Sequence, residues 1–183
     1  MMINVEKIRK DFPMLKKTMH GHPLVYLDNG ATTLKPQCVI DAVTGVYTHM
    51  TSNIHRGDYD LSHRISTAYD QTRTHVASFL NAEEDEIIFT SGASASLNMA
   101  AYGYGLTNLR EGDVILSTEA EHASNILPWF KVSEMTHSKI EYISLNEKGE
   151  LTVENFKKAI HEKVKVVAIS YVSNVLGYIN PIK

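Results

Sequence analysis

The chain of 183 residues carries a net charge of −3 and is 43% hydrophobic, long enough to bury the core of one domain and too weakly charged for an electrostatic nucleic-acid binder. A single cysteine, Cys38, excludes an intrachain disulfide and fits a reducing cytoplasm. No apolar run is long enough to span a bilayer and residues 1–7 lack the apolar core of a signal peptide, so a cytoplasmic protein without a membrane anchor is expected.

Val5, Ile8 and Phe12 recur at helical spacing, and Pro13 closes that short amphipathic piece. Leu24-Val25-Tyr26-Leu27 reads as a short extended segment running into a small, polar turn at 28–33. Lys35-Pro36 opens a helix, with Pro36 near the first position, where its missing N–H costs nothing. Val39, Ile40, Val43, Val46, Tyr47 and Met50 form its expected buried stripe. Cys38, beside that stripe, reads as a small, partly buried structural residue, since no nearby base or basic cluster is present to activate it.

Residues 51–61 are a polar loop holding His55, Arg56 and Gly57, and a second long helix follows with Leu61, Ile65, Ala68, Tyr69, Thr72, Val76, Phe79 and Leu80 inward. The acidic run from Glu83 to Glu86 reads as a solvated turn rather than a metal site.

The stretch that organises the rest is Ile87-Ile88-Phe89-Thr90-Ser91-Gly92-Ala93-Ser94. A β-type run ends at Thr90, small residues follow, and a helical pattern begins with Leu97, Ala100 and Ala101 on one side and Gly103 and Gly105 to stop it. Strand, small-residue turn and helix N-terminus is an anion-binding geometry, because free first-turn N–H groups and the helix dipole face the same point. Taken alone, the stretch is equally consistent with Ser94 as an ordinary N-cap.

Beyond it, the apolar run Val114-Ile115-Leu116 ends at the polar residues 117–122, and a helix through Ile126, Trp129 and Phe130 follows. Residues 139–145 alternate like a strand closed by a turn at 146–149, 151–160 read as a helix with Phe156 and Ile160 inward, and 164–170 read as an interior strand. Strands alternating with helices predict an α/β fold with a mostly parallel sheet and flanking helices. In such sheets ligands sit outside the carboxyl ends of the strands, which allows the 91–96 turn, His122 and Asn174 to serve one ligand. A lone histidine is most often structural, but at a strand's carboxyl end His122 is placed to stack on a ligand or hand it a proton. None of the nine histidines has zinc-site spacing, so no metal is expected.

Six blocks in register then resemble one family: Tyr26 to Thr33, Asn53 to Gly57, Phe89 to Gly92, Glu121-His122, Asn125 to Trp129, and Ser170 to Gly177. The chain resembles the Suf-type cysteine desulfurases (selenocysteine lyase-like), of the class V aminotransferase group of pyridoxal-phosphate enzymes. The resemblance implies the large domain of fold type I (aspartate aminotransferase-like), present in its amino-terminal portion: residues 1–23 as an amino-terminal segment and 24–183 as an incomplete cofactor-binding domain. It implies pyridoxal 5'-phosphate as cofactor, held by Ala93, Ser94, His122 and Asn174, with His122 also catalytic. Gly30 and Ala31 fall on the substrate side, and His55 and Arg56 near the dimer interface and the mouth of the site. The implied activity takes L-cysteine, or L-selenocysteine, to L-alanine and leaves a persulfide on the enzyme for iron–sulfur cluster assembly, in a homodimer serving a sulfur-acceptor protein.

The sequence departs from the family in places. Gly30 replaces an alanine, Ala93-Ser94-Ala95 stands where Thr-Thr-Glu is usual, and Ala123 replaces the second of two histidines. The Schiff-base lysine and the persulfide cysteine of the family fall beyond Lys183, so the isolated chain is expected to be inactive, and the interior-type strand 164–170 to be left without its neighbours. Two other readings stay open: a non-enzymatic dimerisation or scaffold remnant, and another class V aminotransferase-type enzyme. A nucleotide-binding domain is disfavoured, since neither G-x-x-x-x-G-K-[ST] nor G-x-G-x-x-G is present.

Overall fold

A computed structural model describes residues 3–182; Lys183, whose place before the family lysine was noted above, lies outside them. The chain divides into two compact units, one ending at Ile88 and the next beginning at Phe89.

In the first unit, α1 (Val5–Arg9) is capped by the Asn4 side chain, and Pro13 opens a single 3-10 turn, Pro13–Lys16. Strands β1 (Thr18–Met19) and β2 (His22–Pro23) form a minimal antiparallel hairpin. Residues 24–27 belong to no strand, although the Leu24 amide donates to the Lys17 carbonyl at 3.0 Å; Val25 and Leu27 are exposed and Leu24 is buried. Helix α2 (Gln37–Gly45) begins where Pro36 requires, the Gln37 amide donating to the Asp11 carbonyl at 2.7 Å, and passes into a π-helical turn, Val46–Met50.

The expected buried stripe of α2 is a correction. Val39, Ile40, Val43, Val46 and Tyr47 are all exposed and Met50 only partly covered. Amphipathic spacing shapes the helix, but within the described residues no apolar layer covers that face. Cys38 is likewise exposed rather than partly buried. Helix α3 (Asp60–Leu80) runs as expected to a left-handed cap at Asn81, but only Ser62 and Ala77 are fully buried, and Phe79 and Leu80 face outward. The acidic run is a 3-10 turn, Glu84–Glu86, closed by a capping box between Glu83 and Glu86.

The second unit holds the parallel sheet. Residues 87–90 form no β-ladder, so the strand expected there is absent among the described residues. Helix α4 (Ala93–Asn108) does not stop at its glycines. It continues past Gly103 and Gly105 to Asn108, and a Cβ at Gly105 would lie 2.5 Å from Val132 Cγ1 and 3.2 Å from the Trp129 ring. Gly105 is thus a packing residue rather than a terminator, the place where the next long helix crosses close to the backbone.

Strand β3 (Val114–Ser117) is buried at every position. After it come α5 (Ala123–Thr136), β4 (Lys139–Tyr142), α6 (Val153–Ala159) and β5 (Val164–Ala168). The order β4-β3-β5 is parallel throughout, with β3 central. Ile115 packs among Ala101, Leu109, Trp129, Val132 and Ala168 from the α4–α5 side, and Leu116 among Ile143 and Leu151 with Phe156 of α6. Alternate residues of β3 therefore feed two helix layers, each fully buried large side chain contributing about 1.5–3 kcal/mol.

Val164 packs with the Leu116 cluster, yet Val166, two residues on, packs with the Ile115 cluster. The register irregularity between Val114 and Ile115 accounts for this change of face. Strand β5 is an edge strand, with Val167 exposed, and Ile160 points outward rather than inward.

The two helix glycines separate propensity from packing. Gly103→Ala, where a Cβ meets nothing within 4 Å, should stabilise by about 0.5–1 kcal/mol. Gly105→Ala gains the same propensity but drives a methyl into buried Val132, so overpacking of about 1–3 kcal/mol should prevail. Chemical denaturation of the two variants checks the opposite signs.

Candidate functional site

Two of the polar residues singled out above, His122 and Asn174, follow the carboxyl ends of β3 and β5. Ser117 Oγ donates to the Ala168 carbonyl at 2.8 Å, tying the two strand ends together inside the sheet. The chain then turns through buried Thr118 to Glu121 and His122, the N-cap of α5.

His122 carries a structural duty that sequence reasoning did not foresee. Its Nδ1 accepts from the Ser124 amide at 3.1 Å, which leaves Nε2 to bear the ring hydrogen in the neutral form. The ring is otherwise exposed, so one nitrogen caps the helix while the other is available outward.

At the start of α4, Gly92 sits at φ 154° and ψ 176°, a region open to glycine alone. Thr90 Oγ1 accepts from the Gly92 amide at 3.3 Å and pairs with Ser96 Oγ at 2.8 Å, which sets the turn. Gly92 makes no side-chain cap, so Ser94 is not the N-cap. Its Oγ lies 2.7 Å from Ser124 Oγ in the first turn of α5. Two helix N-termini are thereby brought together by a hydroxyl pair, beside a cleft of about 380 Å³ lined by Ser94, Asn98, Tyr102, Ser124, Leu127 and Pro128 among others. The first-turn N–H groups of α4, two hydroxyls and two helix dipoles are a donor set suited to a phosphate. Ser124 carried no sequence signal beyond its type.

Asn174 lies exposed in a turn of the hairpin that follows β5, whose strands meet at the Val172–Ile179 bridge. The Ser173 amide donates to the Tyr178 carbonyl and the Gly177 amide to the Ser173 carbonyl, both at 3.0 Å. The Tyr178 hydroxyl is held above its ordinary value, first by burial and then by the carboxylates of Glu121 and Glu150.

Glu121 is the residue that the reading of single positions missed. Oε1 accepts from Thr118 Oγ1 and the Ser170 amide, both at 3.0 Å, and Oε2 from Asn125 Nδ2 at 2.7 Å. The Asn125 partner stands four residues on, a spacing visible in sequence. Ser170, 49 residues away, is not.

The remaining candidates belong to the first unit. Gly30 and Ala31 form an exposed turn in which the Ala31 and Thr32 amides both donate to the Asp28 carbonyl at 3.2 Å, and Tyr26 OH donates to the Thr32 carbonyl at 2.7 Å. His55 has φ 57°, its amide donates to Ser66 Oγ at 2.9 Å, and its Nε2 lies 3.1 Å from Asp70. Its ring meets Tyr69 edge-on. Arg73 lies over the other partner of that contact, its guanidinium 5.4 Å from the Tyr69 ring centre. Arg56 is exposed. Among the described residues no group of three or more His, Cys, Asp or Glu is arranged to hold a metal ion, and no helix is long and apolar enough to cross a membrane.

Comparison with known proteins places the chain in a family. The family Aminotransferase class-V matches residues 25–183. The chain is 41% identical to a probable cysteine desulfurase of Synechocystis sp. over 95% of its own length and 42% of the relative's, and 43% identical to one of Halalkalibacterium halodurans over 99% and 45%. The apo structure of cysteine desulfurase from Thermococcus onnurineus NA1 superposes with a TM-score of 0.89 at 36% identity, over 100% of this chain and 44% of that one. The chain thus spans less than half the length of the curated relatives it matches.

Tyr178 supplies a pH test. A phenol whose folded value is raised keeps its proton longer in the folded state, so its contribution is present below the ordinary value of 10.0 and lost as pH rises through the folded value. Thermal melts of Tyr178→Phe should therefore fall less steeply than those of the parent from about pH 10 upward, the two agreeing at neutral pH.

Proposed function

Because the chain belongs to the class-V aminotransferase family and matches the amino-terminal part of cysteine desulfurases, we propose that it furnishes the amino-terminal side of a pyridoxal-phosphate site. The observation that carries the reading is the Ser94–Ser124 hydroxyl pair at the joined N-termini of α4 and α5, with the exposed His122 ring capping the second helix. When bound, pyridoxal phosphate supplies the electron sink for chemistry at an amino acid's α-carbon.

The residues divide the work as follows. The amides opening α4 at Ala93 and Ser94, with the Ser94 and Ser124 hydroxyls, hold the phosphate. The His122 ring flanks the cofactor's ring, and its Nε2 holds or moves a proton there. The exposed Asn174 amide donates to the phenolic oxygen. Gly30 and Ala31 line the substrate side, and His55 and Arg56 stand at the mouth and the dimer interface. In this reading residues 24–183 are part of the cofactor-binding large domain and residues 1–23 an amino-terminal segment.

The activity we assign to the whole protein is that of a cytoplasmic, homodimeric cysteine desulfurase, releasing L-alanine from L-cysteine, or from L-selenocysteine, and passing sulfur as a persulfide to an acceptor for iron–sulfur cluster assembly. The covalent steps need a lysine and a cysteine that we assign to none of residues 1–183. A second reading, an association module, draws on the exposed apolar stripe of Val39, Val43, Val46 and Tyr47.

Two measurements test the site. Residues 1–183 should retain pyridoxal phosphate in equilibrium dialysis without a covalent bond, so that borohydride reduction leaves no cofactor attached; stoichiometric labelling of one lysine defeats that assignment. His122→Asn keeps a capping side chain and should melt close to the parent, whereas His122→Ala should lose about 0.5–2 kcal/mol. Both should lose cofactor retention, and a His122→Asn protein that binds like the parent returns the ring to a purely structural role.

A further inference from the structure

We propose that Glu121 is a positioning residue that locks together the two segments bearing His122 and Asn174, an inference that rests on reading those two as cofactor contacts. Its neighbour His122 caps α5, and its own carboxylate reaches three parts of the second unit. Oε2 takes the Asn125 amide in the first turn of α5, and Oε1 takes the Thr118 hydroxyl at the end of β3 and the Ser170 amide after β5. The Ser170 hydroxyl points to the same oxygen at 3.4 Å.

Every group around the carboxylate is a donor, and an ionised carboxylate is the side chain that offers acceptors only. The match is one of type as well as distance. Bonds to a charged acceptor are the stronger kind, and this one joins positions 49 apart in the chain.

Ser170 passes the constraint onward. Its carbonyl accepts from Asn180 Nδ2 at 2.7 Å, and the Asn180 amide donates to the Tyr171 carbonyl at 2.8 Å, closing the base of the hairpin whose turn carries Asn174. Asn180 is 2% exposed, and among the described residues its Oδ1 has no hydrogen-bond partner. Glu121 and Asn180 thus grip Ser170 from its N–H and its C=O. The fixed separation that results is between the N-cap of α5 and the Asn174 turn, which in this reading meet the face of the cofactor ring and its phenolic oxygen.

Amide hydrogen exchange and pyridoxal phosphate dialysis on the same protein samples decide the matter. Glu121→Ala should speed exchange at Ser170 by about tenfold or more, the order expected for losing a bond to a charged acceptor. It should weaken cofactor retention while Ile115 and Leu116 in β3 stay as protected as in the parent. Glu121→Gln should recover most of both, since Oε1 still accepts from Ser170 and Asn125 can turn its amide to present Oδ1 to the new NH2. Unchanged exchange at Ser170 in Glu121→Ala overturns the proposal. Equal loosening of Ile115 and Leu116 also overturns it, because Glu121 is then a general stabiliser. Failure of the cofactor reading looks different: the parent retains no pyridoxal phosphate, while exchange at Ser170 still reports whether the lock exists.

Discussion

Burial of β3 on both faces is the constraint from which the second unit follows. Four consecutive residues, Val114 to Ser117, have no solvent-facing side, so each face needs its own helix layer and each edge its own strand. That requirement places α4 and α5 over Ile115 and α6 under Leu116. It also makes the carboxyl end of β3 the one place where its chain can leave the core. Polar residues follow at once, and parallel β5 ends beside them because the register is common. The site is a consequence of a strand that is apolar until Ser117 and then stops being so.

This explains which features were legible in the sequence. The run Val114-Ile115-Leu116, bounded by Gly112 and by Ser117 to His122, is a short apolar block between turn signals, and it folds as read. The capping and turn chemistry at Pro36, Glu83 to Glu86 and 146–149 is local, and local chemistry survives translation into structure. Isolated strands do not behave this way. Residues 24–27 and 87–90 have β-type composition, yet a strand exists only through a partner that hydrogen-bonds to it, and that partner is not written in the segment itself. Gly103 and Gly105 illustrate the same limit for helices: by type both are breakers, and only the approach of Val132 reveals that one of them is there for space.

The buried stripes expected of α2 and α3 fail for a related reason. Periodicity states which face of a helix seeks cover, not whether cover is present. Val39, Val43, Val46, Tyr47 and Phe79 are spaced to be covered and remain open. At about 25 cal/mol per Å² of apolar surface, covering such a stripe is a driving force of several kcal/mol, comparable with the roughly 5–15 kcal/mol that holds a whole domain folded. The sequence records the demand faithfully, whether or not cover is at hand.

Among the site residues, those legible by type were His122, Ser94 and Asn174, while the groups that connect them, Ser124, Glu121 and Asn180, appear only once the chain is folded. The distinction bears on the departures from the family at residues 93–95. An anion held at a helix start is held chiefly by main-chain N–H groups and by the dipole, which Ala supplies as well as Thr does. Ala93 therefore still presents its main-chain N–H at the start of α4. A second hydroxyl is available from Ser124, 2.7 Å from Ser94 and delivered by a different helix. That helix is in turn capped by His122 and tied to β3 and the post-β5 segment by Glu121. The Ser94–Ser124 pair and the His122 ring thus share one support, the start of α5.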